Sequence, residues 1–510
     1  MAEILFKTYN QDQLMLLPPG LDELVPPTHL GRIVNRVIDS MPDGIFRESY
    51  EGGGTTSYHP KMLAKVIIYG YLIRVYSGRQ MAKLLKENVI FMWLAGQNQP
   101  DFRTINRFRS IRFKAQVRSV FKEVLALCGK LELIQFENYF VDGTKIEANA
   151  NRHKMVWKRK VQNNKKRLDG KINELLDEID KVIEKEEAEA DEFEKAEKQR
   201  DEMFNSDRAK TAIKKLGEKL KDLGNPKRHP VKRLQRQMNE MLTKRAEYEQ
   251  KEKVLAERNS YSKTDADAIG MRMKNSDEVR PGYNAMIGTE NQIILNYDLY
   301  QKAGDTTCLI PHMKSFKRLH GCWMKQVVGD AAFGSQENYQ FVEKHKIGSY
   351  LKYNTFCQET RKRYVPDPTK IFPYDADLDQ YTCPMGKPLK WTGEPKYKRT
   401  DAGFLTKLRL YQTRACFYCP KKCTEAKQRT VQRNEILEKF REKAKSNLLS
   451  ERGIKLRSLR GIEVESVFGD LKQNMKFRRF NLRGLEKVST DFGIACIAHN
   501  IRKMALAAAA

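Results

Sequence analysis

From about residue 153 to 260 the chain is rich in Lys and Glu and almost free of aromatic residues, while β-prone apolar runs lie before and after that stretch. Any sheet the protein builds is therefore interrupted in sequence by a long helical insertion, spanning 153–262. Within it Leu168, Ile172, Leu175, Ile179 and Val182 recur at spacings of four, three, four and three, a heptad seam. Ile213, Leu216, Leu220 and Leu223 give a second, shorter seam. Asn225-Pro226 marks a turn before a further helix through Leu234, Met238 and Met241. The insertion reads as coiled-coil-like, with a plain antiparallel hairpin as the alternative.

The flanking runs supply the sheet. NYFVD, residues 138–142, is a short strand ended by a turn at Asp142-Gly143. GYNAMIGTENQIILNYDLY reads as a hairpin joined by Thr289, Glu290 and Asn291. MKQVVGDAAFG is a buried strand leading to Gly329-Asp330, SQENYQFVEKHK a helix for which Ser335 is the natural N-cap, and KIGSYLKYN another strand. The order of strands, helix, strands and terminal helices predicts an α/β protein, a mixed sheet covered by helices.

Residues 20–130 read as helical, with Pro60 in a first turn and Asp101 as an N-cap. Arg103, Arg107, Arg109 and Arg112 cluster on and around the helix that follows Asp101, either as a DNA-contacting face or as a solvated basic face. The expected organisation is a helical N-terminal domain over 1–130 and a first piece of the core over 131–152. The helical insertion over 153–262 and a second core piece over 263–379 come next. A cysteine-rich insertion over 380–428 and a C-terminal core part over 429–510 complete it. The closing run Ala507–Ala510 is expected to lie outside the fold.

Lys and Arg number 94 against 65 Asp and Glu, a formal charge of +29. Such an excess favours a polyanion, because cationic groups release counterions condensed on phosphate. Nucleic acid is the natural partner, and the helical insertion would then serve dimerisation or grip DNA. A membrane surface is the rival, but no stretch of eighteen or more uncharged apolar residues exists and MAEILFKTYNQDQ lacks the order of a signal peptide. The protein is expected to be soluble and intracellular.

Three acids stand out. Asp142 and Asp330 each follow an apolar strand, where a carboxylate has rigid support and access to substrate; the alternative is that each shapes a turn or caps a helix. Glu465 borders a helical apolar stripe of Val464, Val467, Phe468, Leu471 and Met475, and needs a partner, either a metal ion or a base such as Lys472. Glu463 lies roughly opposite and is the weaker ligand candidate. Phosphodiester transfer demands hard cations held by carboxylates. The chain has no Walker glycine pattern before Lys and Ser or Thr, so nucleotide hydrolysis is not indicated.

Of the nine cysteines, Cys128, Cys308, Cys322, Cys357 and Cys496 stand alone and read as reduced. Cys383, Cys416, Cys419 and Cys423 fall in one basic segment and are expected to form a structural zinc site, with four reduced thiols as the alternative.

YFVDGTKIEANANR, VVGDAAFG and IEVESVFGDLKQNMKFRRFNLRG resemble the first Asp, second Asp and Glu regions of DDE transposases from bacterial insertion sequences. YHPKMLAKVIIYGYLIRVYSGRQMAKLLKENVIFMWLAG and PDFRTINRFRS resemble that group's N-terminal domain, and TDADAIGMRMK with PGYNAMIG the segment before its middle strands. One departure stands out: the family's Arg is expected four residues before the Glu, where this chain has Gly461, with Arg460 one place earlier, and no Tyr precedes at the family's spacing. The resemblance implies a ribonuclease-H-like core and Asp142, Asp330 and Glu465 as catalytic ligands of Mg²⁺ or Mn²⁺. It also implies DNA contacts by Lys472, Arg460, Arg478, Arg479, Arg483, Arg103 and Arg107. Asp305, in KAGDTT, is read as a supporting residue. The implied chemistry is attack of water on a phosphodiester, then attack of the freed 3′-hydroxyl on target DNA, without a covalent protein intermediate. The implied partners are double-stranded DNA, both element ends and target, and a second copy of the chain on that DNA; the implied setting is the bacterial cytoplasm, on the nucleoid. A protein that binds DNA without cutting it, and a nuclease that cuts without joining, are the alternatives.

Overall fold

A computed structural model of the chain describes residues 20–47, 50, 57–187, 206–222, 230–273, 278–361, 372–400, 403–413, 416, 419–420, 423–424, 426 and 428–508. The chain divides into two compact units, one formed by 1–146, 284–300 and 304–510, the other by 147–283 and 301–303.

The first unit is mixed α/β. Strand Asn138–Glu147 lies between Val279–Glu290 and Gln326–Gly329; Gly348–Leu351 continues the sheet beyond Gln326–Gly329, and Ile293–Tyr300 pairs with Val279–Glu290. The pairings of Asn138–Glu147 with Gln326–Gly329 and of Gln326–Gly329 with Gly348–Leu351 are parallel, whereas the hairpin is antiparallel. Val327, Val328, Ile287, Ile294 and Leu295 are fully or almost fully buried, the continuous apolar pattern of strands covered on both faces.

One helix organises the core. Leu485–Ala507 is buried almost continuously from Thr490 to Ile501 and packs against Pro60–Leu72 and Phe113–Lys130. An all-round apolar helix of this kind belongs inside a protein. Pro60 opens its helix as expected, and Asp101 caps Phe102–Arg107 by accepting from Thr104 N at 2.8 Å. The terminal helix takes in Ala507, with Ala508 as its C-cap, so the start of the closing alanine run is ordered; Ala509 and Ala510 lie outside the described residues.

Two details differ from expectation. The strand carrying Asp142 does not turn at Gly143 but runs on to Glu147, paired in the sheet beside Val279–Glu290. The hairpin turns at Asn291 and Gln292, both at positive φ, rather than through Thr289 to Asn291.

A second, antiparallel sheet of six strands covers the cysteine-rich region, from Tyr374–Asp375 to Thr430–Arg433. In the other unit, Lys158–Glu187, Ser206–Asp222 and Pro230–Leu255 pack on one another, burying Leu168, Ile172, Leu175, Ile179, Leu216, Leu234 and Met238 in one cluster. The heptad seam is thus the inner face of three helices, not of a two-helix hairpin. Val182, Leu220, Leu223 and the Asn225-Pro226 turn lie outside the described residues or side chains.

Candidate active site

The two aspartates are level with each other. Strands Asn138–Glu147 and Gln326–Gly329 pair in parallel with Asn138 opposite Gln326 and Phe140 opposite Val328; the same register carried two residues further sets Asp142 opposite Asp330. The entry to the first strand is fixed by Glu290, whose carboxylate accepts from the backbone N–H of Gln135, Phe136 and Glu137 at 2.7 Å and of Asn138 at 3.0 Å. Behind Asp142, a Cβ added at Gly143 would meet Asp305 Oδ1 at 2.5 Å, and Asn284 donates to the same Asp305 oxygen at 2.5 Å. Asp305 therefore lies against the strand next to Asp142. Asp330 Oδ1 caps a short 3₁₀ turn by accepting from Ala332 N at 2.9 Å, while Ser335 caps the following helix. Asp330 thus both shapes a turn and turns its second oxygen to the site.

Glu465 arrives from far along the sequence. The stripe of Val464, Val467, Phe468, Leu471 and Met475 is buried as predicted, which anchors the helix and leaves the Glu465 side chain 55 % exposed. Its partner is not Lys472 but Arg460: Nη1 donates to Glu465 Oε1 at 2.8 Å, and Nη2 lies 3.2 Å from Asp142 Oδ1 and 4.0 Å from Asp330 Oδ2. One guanidinium therefore gathers all three acids. Residues 461–465 form a π-helical turn, and such a turn amounts to one extra residue in an α-helix. The displaced arginine noted in the sequence is brought back onto the face of Glu465 by that extra residue. Glu463 is buried and accepts from Gln292 N at 2.8 Å; burial holds its carboxyl above the usual range. It faces away from the site.

Lys472 Nζ donates to Thr144 Oγ1 and to Lys145 O, at 3.1 Å for the latter, and so docks beside Asp142 on the same strand. Sequence reasoning missed Asp470, two residues before it. Burial pushes the Asp470 carboxyl up, but hydrogen bonds from His499 and Asn474 and the nearby charges of His499 and Arg502 outweigh this and bring it down to about 2. His499 Nδ1 lies 2.8 Å from Asp470 Oδ2, and His499 Nε2 2.9 Å from Gln292 O. Asp491 was also missed: fully buried, it accepts from Tyr71 Oη and, at 2.7 Å, from Asn481 N. It ties down the loop carrying Arg478, Arg479 and Arg483, all exposed. The bonds reach across the sequence, so only the buried position of Asp491 within the apolar run VSTDFGIACIA could have signalled it.

In the N-terminal helices Arg103 and Arg107 are exposed, as a DNA-contacting role requires. Arg109 is not: it is buried and donates to Tyr76 O at 2.8 Å, Asn106 Oδ1 at 3.1 Å and Tyr71 Oη at 3.2 Å. Arg112 stacks its guanidinium 4.0 Å over the Tyr50 ring.

The expected zinc site finds no support among the described residues. Among the described residues no group of three or more His, Cys, Asp or Glu side chains is placed to hold a metal ion. Cys383 Sγ accepts from Met385 N at 3.4 Å and Lys387 N at 3.3 Å, and Cys416 Sγ from Arg429 N at 3.4 Å. The three acids are likewise gathered around a guanidinium rather than around one another.

Residues 382–505 match the family model described as Transposase DDE domain, and residues 19–110 match one described as Transposase domain. These matches to transposase families over parts of the chain bear out its resemblance to DDE transposases. Glu465 and Lys472 fall within the first match, Arg103 and Arg107 within the second, and Asp142 and Asp330 outside both. A comparison with curated proteins gave no match.

Proposed function

We propose that this transposase cuts DNA at the ends of an insertion sequence and joins the freed ends to target DNA, with Asp142, Asp330 and Glu465 as its catalytic carboxylates. The observation that carries this reading is their convergence on a single guanidinium from two neighbouring strands and a distant helix. Three hard oxygen donors suit Mg²⁺ or Mn²⁺, and among the described residues Arg460 Nε is buried without an acceptor while its Nη atoms meet the acids. A divalent cation bound by these residues would polarise the phosphodiester and favour in-line displacement.

The chain's own residues do the rest. The paired strands fix the separation of Asp142 and Asp330, and the buried helix stripe fixes Glu465. Lys472 sits where a phosphate near Asp142 would meet its ammonium; Arg478, Arg479 and Arg483 extend that charge along the loop, and Arg103 and Arg107 would hold DNA outside the site. Aspartates on adjacent parallel strands, with the glutamate on a later helix, support a ribonuclease-H-like core interrupted by the helical and cysteine-rich insertions. We assign residues 1–130 to DNA binding and dimerisation, and infer a homodimer that pairs two element ends in the bacterial cytoplasm. No helix among the described residues is long and apolar enough to cross a membrane. With purified protein and end-bearing DNA, Asp330→Ala is expected to abolish cleavage and leave binding intact; cleavage by that variant would overturn the assignment.

A further inference from the structure

We propose that Arg460 is a built-in counter-cation which occupies the three-acid site in the DNA-free protein and must be displaced before a divalent cation can load. This rests on the three-acid reading above. Asp142 is nearly buried and lies opposite Asp330, so two negative charges would face each other across a poorly solvated gap. Like charges so placed repel each other, and a cation between them offsets the repulsion. The Arg460 side chain, 11 % exposed, provides that cation and reaches Glu465 as well.

The same geometry makes arginine and metal competitors. The oxygens that face Nη1 and Nη2 are the ones a metal ion would need, and a carboxylate oxygen engaged with a guanidinium in a confined site is not free to turn toward another cation. Among the described residues Arg460 Nε is buried and has no acceptor. Once the carboxylates are claimed, the guanidinium has no reason to stay. A DNA phosphate is the acceptor that suits its planar fork best. Binding of DNA and of metal would thus favour each other through one side chain, each releasing what the other requires. The π turn at 461–465 belongs to the device, because it presents Arg460 and Glu465 on one face.

Mn²⁺ binding to the full chain, followed by electron paramagnetic resonance without DNA, tests this independently of activity. Arg460→Gln is expected to bind Mn²⁺ about tenfold more tightly than wild type, within the range of coupling between sites. Adding Asp330→Asn should erase that gain. Arg460→Lys, which keeps a charge but cannot span three acids, should fall between, and serves if the Gln variant fails to fold by circular dichroism. Equal or weaker Mn²⁺ binding in both Arg460 variants, at a site still sensitive to Asp330→Asn, would overturn the proposal and leave the three-acid reading intact. Mn²⁺ binding insensitive to Asp330→Asn in every variant would overturn both.

Discussion

Arg460 Nη1 donates to Glu465 Oε1 at 2.8 Å although the two residues are five apart on one helix. In a regular α-helix such a pair is out of register, since neighbours on a face are three or four apart. The π turn between them supplies the missing rotation. Deleting Gly461 should convert the π turn to α and keep the pair, changing stability by less than about 1 kcal/mol and preserving DNA cleavage. Inserting an alanine after Gly461 should break the pair and abolish cleavage. Thermal unfolding and a cleavage assay on both variants decide it.

This turn also marks where sequence reading stopped. Val464, Val467, Phe468, Leu471 and Met475 were legible because a 3.6-residue period shows in the residues themselves, and Asp330 because an apolar strand leads into it. The Arg460–Glu465 pair was not, because nothing in GIEVE announces a π turn. Asp142 was found for a partly wrong reason. Its strand continues through Gly143 to Glu147, paired with Val279–Glu290, a contact between residues remote in sequence. Asp470 and Asp491 are invisible for the same cause: their partners are His499, Arg502, Tyr71 and Asn481, which only the fold brings near.

Gly143→Ala tests the support behind Asp142. The new methyl would lie 2.5 Å from Asp305 Oδ1 and 2.8 Å from its Cγ, an overpacking that costs about 1–3 kcal/mol. A shift of the strand that carries Asp142 should also reduce cleavage by about a hundredfold. Asp305→Ser in the Gly143→Ala background should recover part of both, measured by denaturant unfolding and by cleavage rate.

Tyr71→Phe removes one of the two hydrogen bonds to the buried Asp491 carboxylate. A bond to a charged group is worth about 1.5–3 kcal/mol, and that loss should appear in urea unfolding. The loop with Arg478, Arg479 and Arg483 should loosen with it. DNA affinity in a gel-shift assay is therefore expected to fall, although Tyr71 itself is fully buried.

Asp470 predicts a pH signature. Its carboxyl is lowered from the ordinary 3.8 to about 2 in the folded chain, so it binds its proton less readily folded than unfolded. It therefore stabilises the fold fully above about pH 4, by on the order of 2 kcal/mol, and that stability is lost as pH falls toward 2. Asp470→Asn should be less stable than wild type at pH 7, with the gap narrowing between pH 4 and pH 2. A gap independent of pH would show that the charge of Asp470 is not what matters.

The most direct test of the account is a cleavage and strand-transfer assay with purified protein and DNA carrying the element ends, in Mg²⁺ or in EDTA, beside Glu465→Gln. Joined products that require Mg²⁺ and vanish in the variant are expected. Binding of the same DNA with no cleavage under any metal condition would contradict it and favour a protein that binds DNA without cutting.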